Sequence, residues 1–569
     1  MRKYFLFVLL FPLLSPAQDA QLEKFVDSLV GPMNKPDVPG TMILVARDGQ
    51  AILEKAYGMA YLEMGVPLRT DHAFGIGSIS KQFTAVAMLQ LVQQGKVKLT
   101  DDIRKYFPHI NTYGYTITID NLLSHTSGIS SSERKGYSDF GRENGIGAHP
   151  DRFVPFIMSE ALLFPPGTNW SYNNVAYKIN SIIIEKVSGK SFRDYMNENI
   201  FQPAGMTHTF IADDLHPINN LANSYLKSYD GKWQNENIRR VWWDWFKGAG
   251  NIVSTLDDML KWDIALRENK VLSAEWKEKA WTPYILKNGM QVNYGYGWDI
   301  SKPDGLRIIS HGGSAYAYNA TSVHIPEKKL YIFYISFSFA NANVIPKRII
   351  SRLLDIPFPK PAALIANTNL SDYVGTYEIP HASVRLSKQM SDRPICASFT
   401  TSGDTLYAQY TERERTFLRP AGKDVFLPQG APDFFYVFNR DAKENVESMQ
   451  VKYFLFGGPM SAEKNIKRQL VKKETLHMVA VSTDVLKKYT GTYYRTAMDS
   501  YYFIELQGSK LYARDLNPAT KFELLPIGEN KFVRKGVEDL GFSFSKDKDG
   551  LTLLTVSGNR TSDFRKLAD

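Results

Sequence analysis

The hydrophobic and polar positions from residue 20 to about residue 355 alternate between strand and helix patterns. Two apolar runs on either side of Asp48-Gly49 predict a hairpin, because that dipeptide favours a tight turn between strands. Apolar residues at helical spacing, followed in each case by a glycine, predict helices over residues 80–97 and 175–192. RIISHGG (307–313) and LYIFYISFSFA (330–340) predict a strand, a turn and a second strand. This mixture indicates an α/β domain, which we place at residues 18–354.

The pattern changes after residues 355–369, a segment with three prolines that we interpret as a linker. Beyond it the chain has short alternating stretches, many turn residues and few helix signals. Five markers return in the same order, namely LSDYVGTYE (370–378) as LKKYTGTYY (486–494), DTLYAQY (404–410) as SKLYARD (509–515), and Pro420, Phe426 and Phe438 as Pro526, Phe532 and Phe544. The repeat predicts two small antiparallel β-barrel domains, at residues 370–476 and 484–569.

The first residues have the composition of a secretory signal peptide. Arg2 and Lys3 precede an apolar run that ends at Leu14, and small residues occupy the positions that a signal peptidase reads before a cut after Ala17. The run is shorter than the roughly 20 residues of a membrane-spanning helix. We therefore expect residues 1–17 to be removed and the mature chain to be periplasmic or secreted, without a transmembrane anchor.

Composition and charge narrow the classes of function. The chain of 569 residues is 44% hydrophobic and 22% charged, which is typical of folded globular domains. Its formal charge of +9 is thinly spread, and the densest basic run, 465–474, is interleaved with apolar residues, so we expect no nucleic-acid partner. The single cysteine, Cys396, can form no intrachain disulfide. None of the ten histidines lies in a metal-ligand pattern such as HExxH, which predicts no metal and no cofactor.

Candidate chemistry begins at FGIGSISKQF (74–83), where Ser78 and Lys81 are one helical turn apart. Five other Ser-x-x-Lys pairs have the same spacing, so their surroundings must distinguish them; they begin at Ser132, Ser224, Ser461, Ser543 and Ser545. Ser78 directly precedes a predicted helix, whose free N–H groups and positive dipole end favour an oxyanion. Mostly apolar residues follow Lys81, and burial favours a neutral amine that can accept the serine proton. A serine that simply begins a core helix fits these residues as well.

Two further segments carry residues suited to acyl transfer. In PPGTNWSYNNVAY (165–177), Tyr172 is a candidate proton shuttle and Asn174 a candidate donor to a substrate carbonyl. In RIISHGGSAYAY (307–318), an apolar strand ends at His311, a candidate donor or positive charge for the substrate. Gly313 allows another backbone to come close, and the N–H of Ser314 is a candidate donor into the site. The structural alternatives are a helix-capping asparagine, a packed tyrosine and a structural histidine.

In chain order, Ser78-Ile79-Ser80-Lys81, Tyr172-Asn173-Asn174 and His311-Gly312-Gly313 resemble the three motifs of the serine β-lactamase-related, penicillin-recognising hydrolases. The resemblance covers about residues 25–350 and includes the segments LLSHTSGI (122–129), IFQPAGMTHT (200–209), GAGNIVSTLDDMLKW (248–262) and YGYGW (294–298). It is closest to class C β-lactamases, DD-peptidases, D-aminopeptidases and family VIII esterases, the peptidase S12 type. It implies a β-lactamase/transpeptidase-like fold with an antiparallel sheet flanked by helices. The C-terminal repeats resemble the lipocalin-like β-barrels that follow this domain in some D-aminopeptidases.

The resemblance also implies roles for the motif residues. Ser78 attacks a carbonyl while Lys81 and Tyr172 share the proton movements, and the oxyanion lies between the N–H groups of Ser78 and Ser314. Asn174 holds the substrate amide. His311 takes the place where many β-lactamases have lysine. A histidine there is typical of the DD-peptidase and D-aminopeptidase branch. Ser310 and Ala315 to Ala317 stand where many relatives have glycines, a departure beside the oxyanion hole.

We therefore predict an exported serine hydrolase that acts on amide bonds of D-amino-acid-containing peptides, of the DD-carboxypeptidase or D-aminopeptidase type, with cell-wall fragments as candidate substrates. A carboxylesterase or weak β-lactamase of the same fold is an alternative. A penicillin-binding sensor that does not turn over is an alternative of another class. Trp243, in the tryptophan-rich segment 239–250, is a candidate wall of an apolar substrate pocket, with plain core packing as its alternative.

Overall fold

The computed structural model describes residues 16–567 except 32–34, 36, 131–149, 214–215, 228–231, 237–245, 339–343, 362–368, 380–394, 411–414, 430–432, 457–465, 470–477, 496–499, 515–520, 536, 547–549 and 558–561. The predicted signal peptide, residues 1–17, lies outside the described residues apart from Pro16 and Ala17, which begin the first helix. No helix within the described ranges is long and apolar enough to span a bilayer.

Helices and strands alternate in the first part of the chain. The α-helices of the described residues are α1 (Pro16–Val30), α2 (Ser80–Gln93), α3 (Ile119–Leu123), α4 (Pro150–Ile157), α5 (Asn174–Ser188), α6 (Phe192–Met196), α7 (Gln202–Ala204), α8 (Leu256–Arg267), α9 (Ala274–Ala280), α10 (Val344–Leu353) and α11 (Thr483–Lys488). The strands before the linker are β1 (Thr41–Arg47), β2 (Gln50–Tyr57), β3 (Met59–Tyr61), β4 (Val66–Pro67), β5 (Phe74–Gly75), β6 (Phe210–Ile211), β7 (Tyr225–Lys227), β8 (Trp233–Asn235), β9 (Ile252–Ser254), β10 (Tyr284–Ile285), β11 (Gln291–Val292), β12 (Asp299–Ser301), β13 (Ile308–Ala315), β14 (Tyr318–Ile325) and β15 (Leu330–Ser336). The helices α2 and α5 agree with the two predicted from the sequence.

Six of these strands form an antiparallel sheet in the order β12-β13-β14-β15-β1-β2. The predicted hairpin is β1 and β2, and Asp48 and Gly49 in its turn both have positive φ, the geometry that suits a two-residue hairpin turn. The strand–turn–strand prediction for 307–340 was incomplete. The chain turns after Ala315 and forms β14, which pairs with both β13 and β15.

The sheet has a helical layer on each face because successive side chains of a strand point in opposite directions. Met42 and Leu44 of β1 belong to the core that contains Phe83 of α2. Ile43 and Val45 belong to a second core that contains residues of α1 and α10. The predicted antiparallel sheet flanked by helices is therefore confirmed.

The chain after residue 370 forms two closed antiparallel barrels of eight strands each. Their strands are β16 (Gly375–Ile379), β17 (Ile395–Ser402), β18 (Thr405–Tyr410), β19 (Thr416–Gly422), β20 (Val425–Pro428), β21 (Phe434–Arg440), β22 (Val446–Tyr453) and β23 (Ile466–Gln469), then β24 (Gly491–Arg495), β25 (Ser500–Gln507), β26 (Lys510–Arg514), β27 (Phe522–Gly528), β28 (Lys531–Arg534), β29 (Val537–Lys546), β30 (Thr552–Ser557) and β31 (Ser562–Lys566). Four of the five repeated markers supply residues at equivalent core positions, namely Tyr377, Leu406, Phe426 and Phe438 in the first barrel and Tyr493, Leu511, Phe532 and Phe544 in the second. The prediction of two small antiparallel barrels is confirmed.

The first barrel is joined to the rest of the chain by an apolar contact and a buried ion pair. Phe454, Leu455 and Phe456, which follow β22, belong to the same core as α1 and α10. The Nζ of Lys347, on α10, lies 2.6 Å from Oδ2 of Asp433, and the lysine side chain is completely buried. These contacts lie on the face of the sheet opposite α2.

Candidate active site

Ser78 lies in a 3₁₀ turn, Gly77–Ile79, that leads directly into α2. The turn is fixed against β9, since the N–H of Ile76 donates to the carbonyl of Ile252 at 3.0 Å and the N–H of Ile252 donates to Oγ of Ser80 at 3.2 Å. Gly77 has φ +51, and a Cβ there would lie 2.6 Å from the backbone nitrogen of Ser314. A glycine before the serine therefore lets the turn touch β13 directly.

Lys81 is completely buried in the first turn of α2, and its ammonium nitrogen is directed at the serine. Nζ lies 3.1 Å from Oγ of Ser78, 2.8 Å from Oδ1 of Asn174 and 2.8 Å from the carbonyl oxygen of Ala249. The last two atoms are acceptors and take two N–H groups of the lysine. These contacts hold the amine nitrogen within hydrogen-bond distance of the Ser78 hydroxyl, the separation that a nucleophile and its base need.

Tyr172 lies beside this pair because Asn173 begins the next helix. Oδ1 of Asn173 accepts the N–H of Ala176 at 3.0 Å and caps α5, so Tyr172 stands just before the helix and Asn174 is its first residue. Nζ of Lys81 lies 4.7 Å from the ring centroid of Tyr172. The second sequence motif therefore meets the first one at the lysine.

Two other tyrosines surround the site, and both are buried. Nζ of Lys81 is 5.6 Å from the ring centroid of Tyr177, and the hydroxyl of Tyr177 donates to the carbonyl of Leu123 at 2.7 Å. Burial raises the pKa of Tyr177 and of Tyr294 well above the ordinary value, so both remain neutral phenols. Of the three tyrosines, only Tyr172 is half-buried, and its role as a proton shuttle stays a prediction.

His311 lies in β13 with 3% of its surface exposed, and its ring is tied into the protein. Nδ1 lies 2.6 Å from the carbonyl oxygen of Gly312, so it carries a proton, and Nε2 lies 3.0 Å from the hydroxyl of Tyr294. The ring centroid is 6.1 Å from that of Tyr172. The histidine thus belongs to the site, while its predicted role toward an anionic group remains a prediction.

The predicted close backbone approach occurs at Gly313. A Cβ on Gly313 would lie 2.0 Å from the carbonyl oxygen of Ile76, two residues before Ser78. The next residue, Ser314, has its backbone against Gly77. A two-donor oxyanion hole requires such a contact between the turn of Ser78 and the strand, and the donor role of the Ser314 N–H stays a prediction.

The competing Ser-x-x-Lys pairs have different surroundings. Ser224 is buried just before β7, and Ser543 and Lys546 lie on one strand, where residues three apart point to opposite faces. The pairs at Ser132 and Ser461, the lysine of the pair at Ser545, and the candidate pocket residue Trp243 lie outside the described residues. Within the described part of the chain, no group of three or more His, Cys, Asp or Glu side chains is arranged to hold a metal.

Sequence reasoning missed three contributors to the site, namely the carbonyl of Ala249, His125 and Tyr294. Their segments, GAGN, LLSHTSGI and YGYGW, are part of the motif resemblance, which was the available signal. The same YGYGW segment supplies Tyr296, whose hydroxyl donates to Oδ1 of Asp120 at 2.5 Å. Burial raises the pKa of Asp120 despite this hydrogen bond.

Comparison with known proteins agrees with this geometry. The family model described as Beta-lactamase matches residues 23–350, more than half of the chain. Penicillin-binding protein 4* of Bacillus subtilis (strain 168) is 28% identical over 397 residues, which are 67% of this chain and 84% of that protein. The D-aminopeptidase of Gluconobacter oxydans (strain 621H) is 25% identical over 350 residues, 61% of this chain and 64% of that protein. The octameric penicillin-binding protein homologue from Pyrococcus abyssi has the same fold, with a TM-score of 0.53 and 24% identity over 76% of this chain and 96% of its own.

The family match spans all three motifs, and the fold places Ser78 and Tyr172 beside the buried Nζ of Lys81, with His311 next to Tyr172. The chain therefore belongs to the Beta-lactamase family, as a serine hydrolase of the β-lactamase fold related to the penicillin-binding proteins.

Proposed function

We propose that the chain is an exported serine hydrolase that cleaves amide bonds in small peptides containing D-amino acids. The observation that carries the proposal is the position of Lys81, whose Nζ is held by Asn174 and Ala249 and lies 3.1 Å from the hydroxyl oxygen of Ser78. A serine hydroxyl is a weak nucleophile until a base removes its proton, and this lysine is placed to do so.

The proposed reaction has two steps, formation of an acyl-enzyme and its hydrolysis. Lys81 takes the proton of Ser78 as Oγ forms a bond to the substrate carbonyl, and the oxyanion is bound by the N–H groups of Ser78 and Ser314. The proton held by Lys81 passes through the hydroxyl of Tyr172 to the leaving nitrogen, so both groups regain their starting protonation as the carbon–nitrogen bond breaks and leaves an acyl-enzyme. Water then gives a proton to the same base and attacks the ester, and the bond to Ser78 breaks as its oxygen regains a proton.

One observation supports a D-peptide substrate, and a second favours the aminopeptidase type. The similar proteins include one named a D-aminopeptidase, which this chain covers over 64% of its length, and one named a penicillin-binding protein. Both ring nitrogens of His311 are engaged within the protein, by Gly312 and Tyr294. We therefore favour an amide without a free carboxylate beside His311 over the substrate of a DD-carboxypeptidase.

The test compares four substrate types with purified full-length protein: a D-amino-acid amide, a D-Ala-D-Ala peptide, a nitrophenyl ester of a short acid, and a cephalosporin. We expect the D-amino-acid amide to have the highest kcat/KM, and Ser78→Ala and Lys81→Ala to lose nearly all turnover. Ser543→Ala, from a competing Ser-x-x-Lys pair, is the matched control and should behave as the parent chain does.

Other results of this assay would identify one of the alternative functions. Turnover of the ester alone identifies a carboxylesterase, and preferential turnover of the cephalosporin identifies a β-lactamase. A stable penicillin adduct without turnover identifies a binding protein. Export is tested separately, because a processed chain should begin at Gln18; a secreted or periplasmic protein that retains Met1 contradicts the predicted cleavage.

A further inference from the structure

We propose that His125 is a positioning residue that sets Tyr172 and Asn174 against Lys81. This inference rests on the proposed acyl transfer, because its purpose is to hold the proton-transfer group. His125 lies in residues 124–129, which follow α3 and which we call the His125 loop. Its side chain is completely buried, one layer behind the site.

The His125 loop binds the backbone on both sides of Tyr172. The carbonyl oxygen of His125 accepts the N–H of Ser171 at 2.9 Å, and Nδ1 of the same residue accepts the N–H of Asn173 at 3.1 Å. The carbonyl of Ile129 accepts Nδ2 of Asn173 at 2.6 Å. His125 therefore binds the backbone N–H of the residue on each side of the tyrosine, and the loop also holds the residue that caps α5.

The ring of His125 also packs against the tyrosines of the site. Its centroid is 4.5 Å from that of Tyr172, 5.1 Å from that of Tyr177 and 4.8 Å from that of Tyr294. The ring of Tyr172 thus contacts the histidine and also lies 4.7 Å from the ammonium nitrogen of Lys81. A displacement of the imidazole would be transmitted directly to the tyrosine.

The contacts define which form of the imidazole the site requires. Because Nδ1 accepts a backbone N–H, it carries no proton, and the ring proton is on Nε2. The titratable groups around the ring are the phenols of Tyr172, Tyr177 and Tyr294, with Lys81 across the first two rings. A neutral ring is favoured there, since a proton on Nδ1 would remove the acceptor of the Asn173 hydrogen bond.

The backbone of His125 supports a role beyond packing. Its φ is +62, a left-handed conformation that is uncommon for residues other than glycine and asparagine. Such conformations persist where the surrounding structure enforces them and are found often at functional sites. Here the conformation directs both the carbonyl and the side chain of one residue at the segment around Tyr172.

Two matched variants separate the hydrogen bond from the packing. His125→Asn keeps an acceptor near the position of Nδ1 and tolerates positive φ, whereas His125→Phe fills the space without an acceptor. With the preferred substrate, we expect His125→Phe to lower kcat about 10²-fold with a much smaller change in KM, because the proton-transfer group is misplaced. The kcat of His125→Asn should be at least tenfold higher than that of His125→Phe. His125→Leu provides the same comparison with a smaller side chain if the phenylalanine variant does not fold.

The positioning role also has a readout that is independent of turnover. Amide hydrogen exchange at Asn173 should be faster in His125→Phe than in the parent chain, and slow in His125→Asn, at matched thermal stability. Equal kcat losses in the Asn and Phe variants, or unchanged exchange at Asn173 in the Phe variant, would overturn the positioning role. If the parent chain turns over none of the four substrates and a fluorophosphonate does not label Ser78, the proposed function fails, and the exchange result still decides the role of His125.

Discussion

Replacing Gly313 with alanine should separate β13 from the turn that carries Ser78. The added Cβ would lie 2.0 Å from the carbonyl oxygen of Ile76 and 3.0 Å from its carbonyl carbon. Both are backbone atoms, so no side chain can rotate away to make room. The strand or the turn has to move by about 1 Å before the shorter contact becomes tolerable.

The expected magnitude follows from that displacement. Overpacking a tight contact typically destabilises a protein by about 1–3 kcal/mol. A misplacement of about 1 Å at a reacting centre reduces the rate by about 10²-fold, and loss of one oxyanion donor reduces kcat by about 10²–10³-fold. These two rate effects describe one movement and are not multiplied. We expect Gly313→Ala to lower kcat by about 10²–10³-fold and to lower the melting temperature.

Gly312→Ala is the matched control in the same strand. The nearest heavy atom to a Cβ at Gly312 is the carbonyl oxygen of Ala320, at an unstrained 3.8 Å. Its melting temperature should stay within a degree or so of that of the parent chain, because exposed substitutions usually change stability by less than about 0.5 kcal/mol. The assays are thermal denaturation and steady-state hydrolysis of the preferred substrate. A Gly313→Ala variant with the parent kcat and melting temperature would refute the proposed contact between the strand and the nucleophile turn.

Two further predictions concern buried charges. Asp433→Asn leaves the buried ammonium of Lys347 without its carboxylate and should lower the free energy of unfolding, measured by urea denaturation, by about 3–5 kcal/mol. The double variant Lys347→Met, Asp433→Leu should recover most of that loss, because no buried charge is left unpaired. A small loss in the single variant would contradict a buried ion pair at this interface. Burial raises the pKa of Asp120 above its unfolded value, so the stability that this group contributes falls as pH rises from about 4 through the folded pKa. Asp120→Asn can still accept the hydrogen bond of Tyr296 and should remove that fall, and identical pH–stability curves for the two proteins would contradict it.

Much of the fold followed from local sequence signals. The hairpin at Asp48-Gly49 and the helix stop at Gly189 depend on backbone conformations that few residues adopt, so the sequence alone predicts them. The barrels followed from the repeat, because four of the five markers contribute a core residue in both copies. The missing element was β14, whose pairing with two neighbours is a tertiary property that its own short pattern does not specify.

Some residues of the candidate site were also predictable from the sequence, and others were not. Ser78 and Lys81 are close because one helical turn places them so, and a local pattern contains that information. The carbonyl of Ala249 and the imidazole of His125 carry no comparable signal. Any residue has a carbonyl, and a buried histidine has many structural uses, so their roles depend on which distant segments the fold brings together.

We propose above that Ser78 becomes acylated with Lys81 as its base. Its most direct test is mass spectrometry of the full-length protein after incubation with a labelled penicillin, followed by peptide mapping. We expect one added penicilloyl group on the peptide containing Ser78, no adduct in Ser78→Ala, greatly slowed labelling in Lys81→Ala and parent-like labelling in Ser543→Ala. Label on another serine, or no label together with no hydrolysis of any amide or ester, would contradict it.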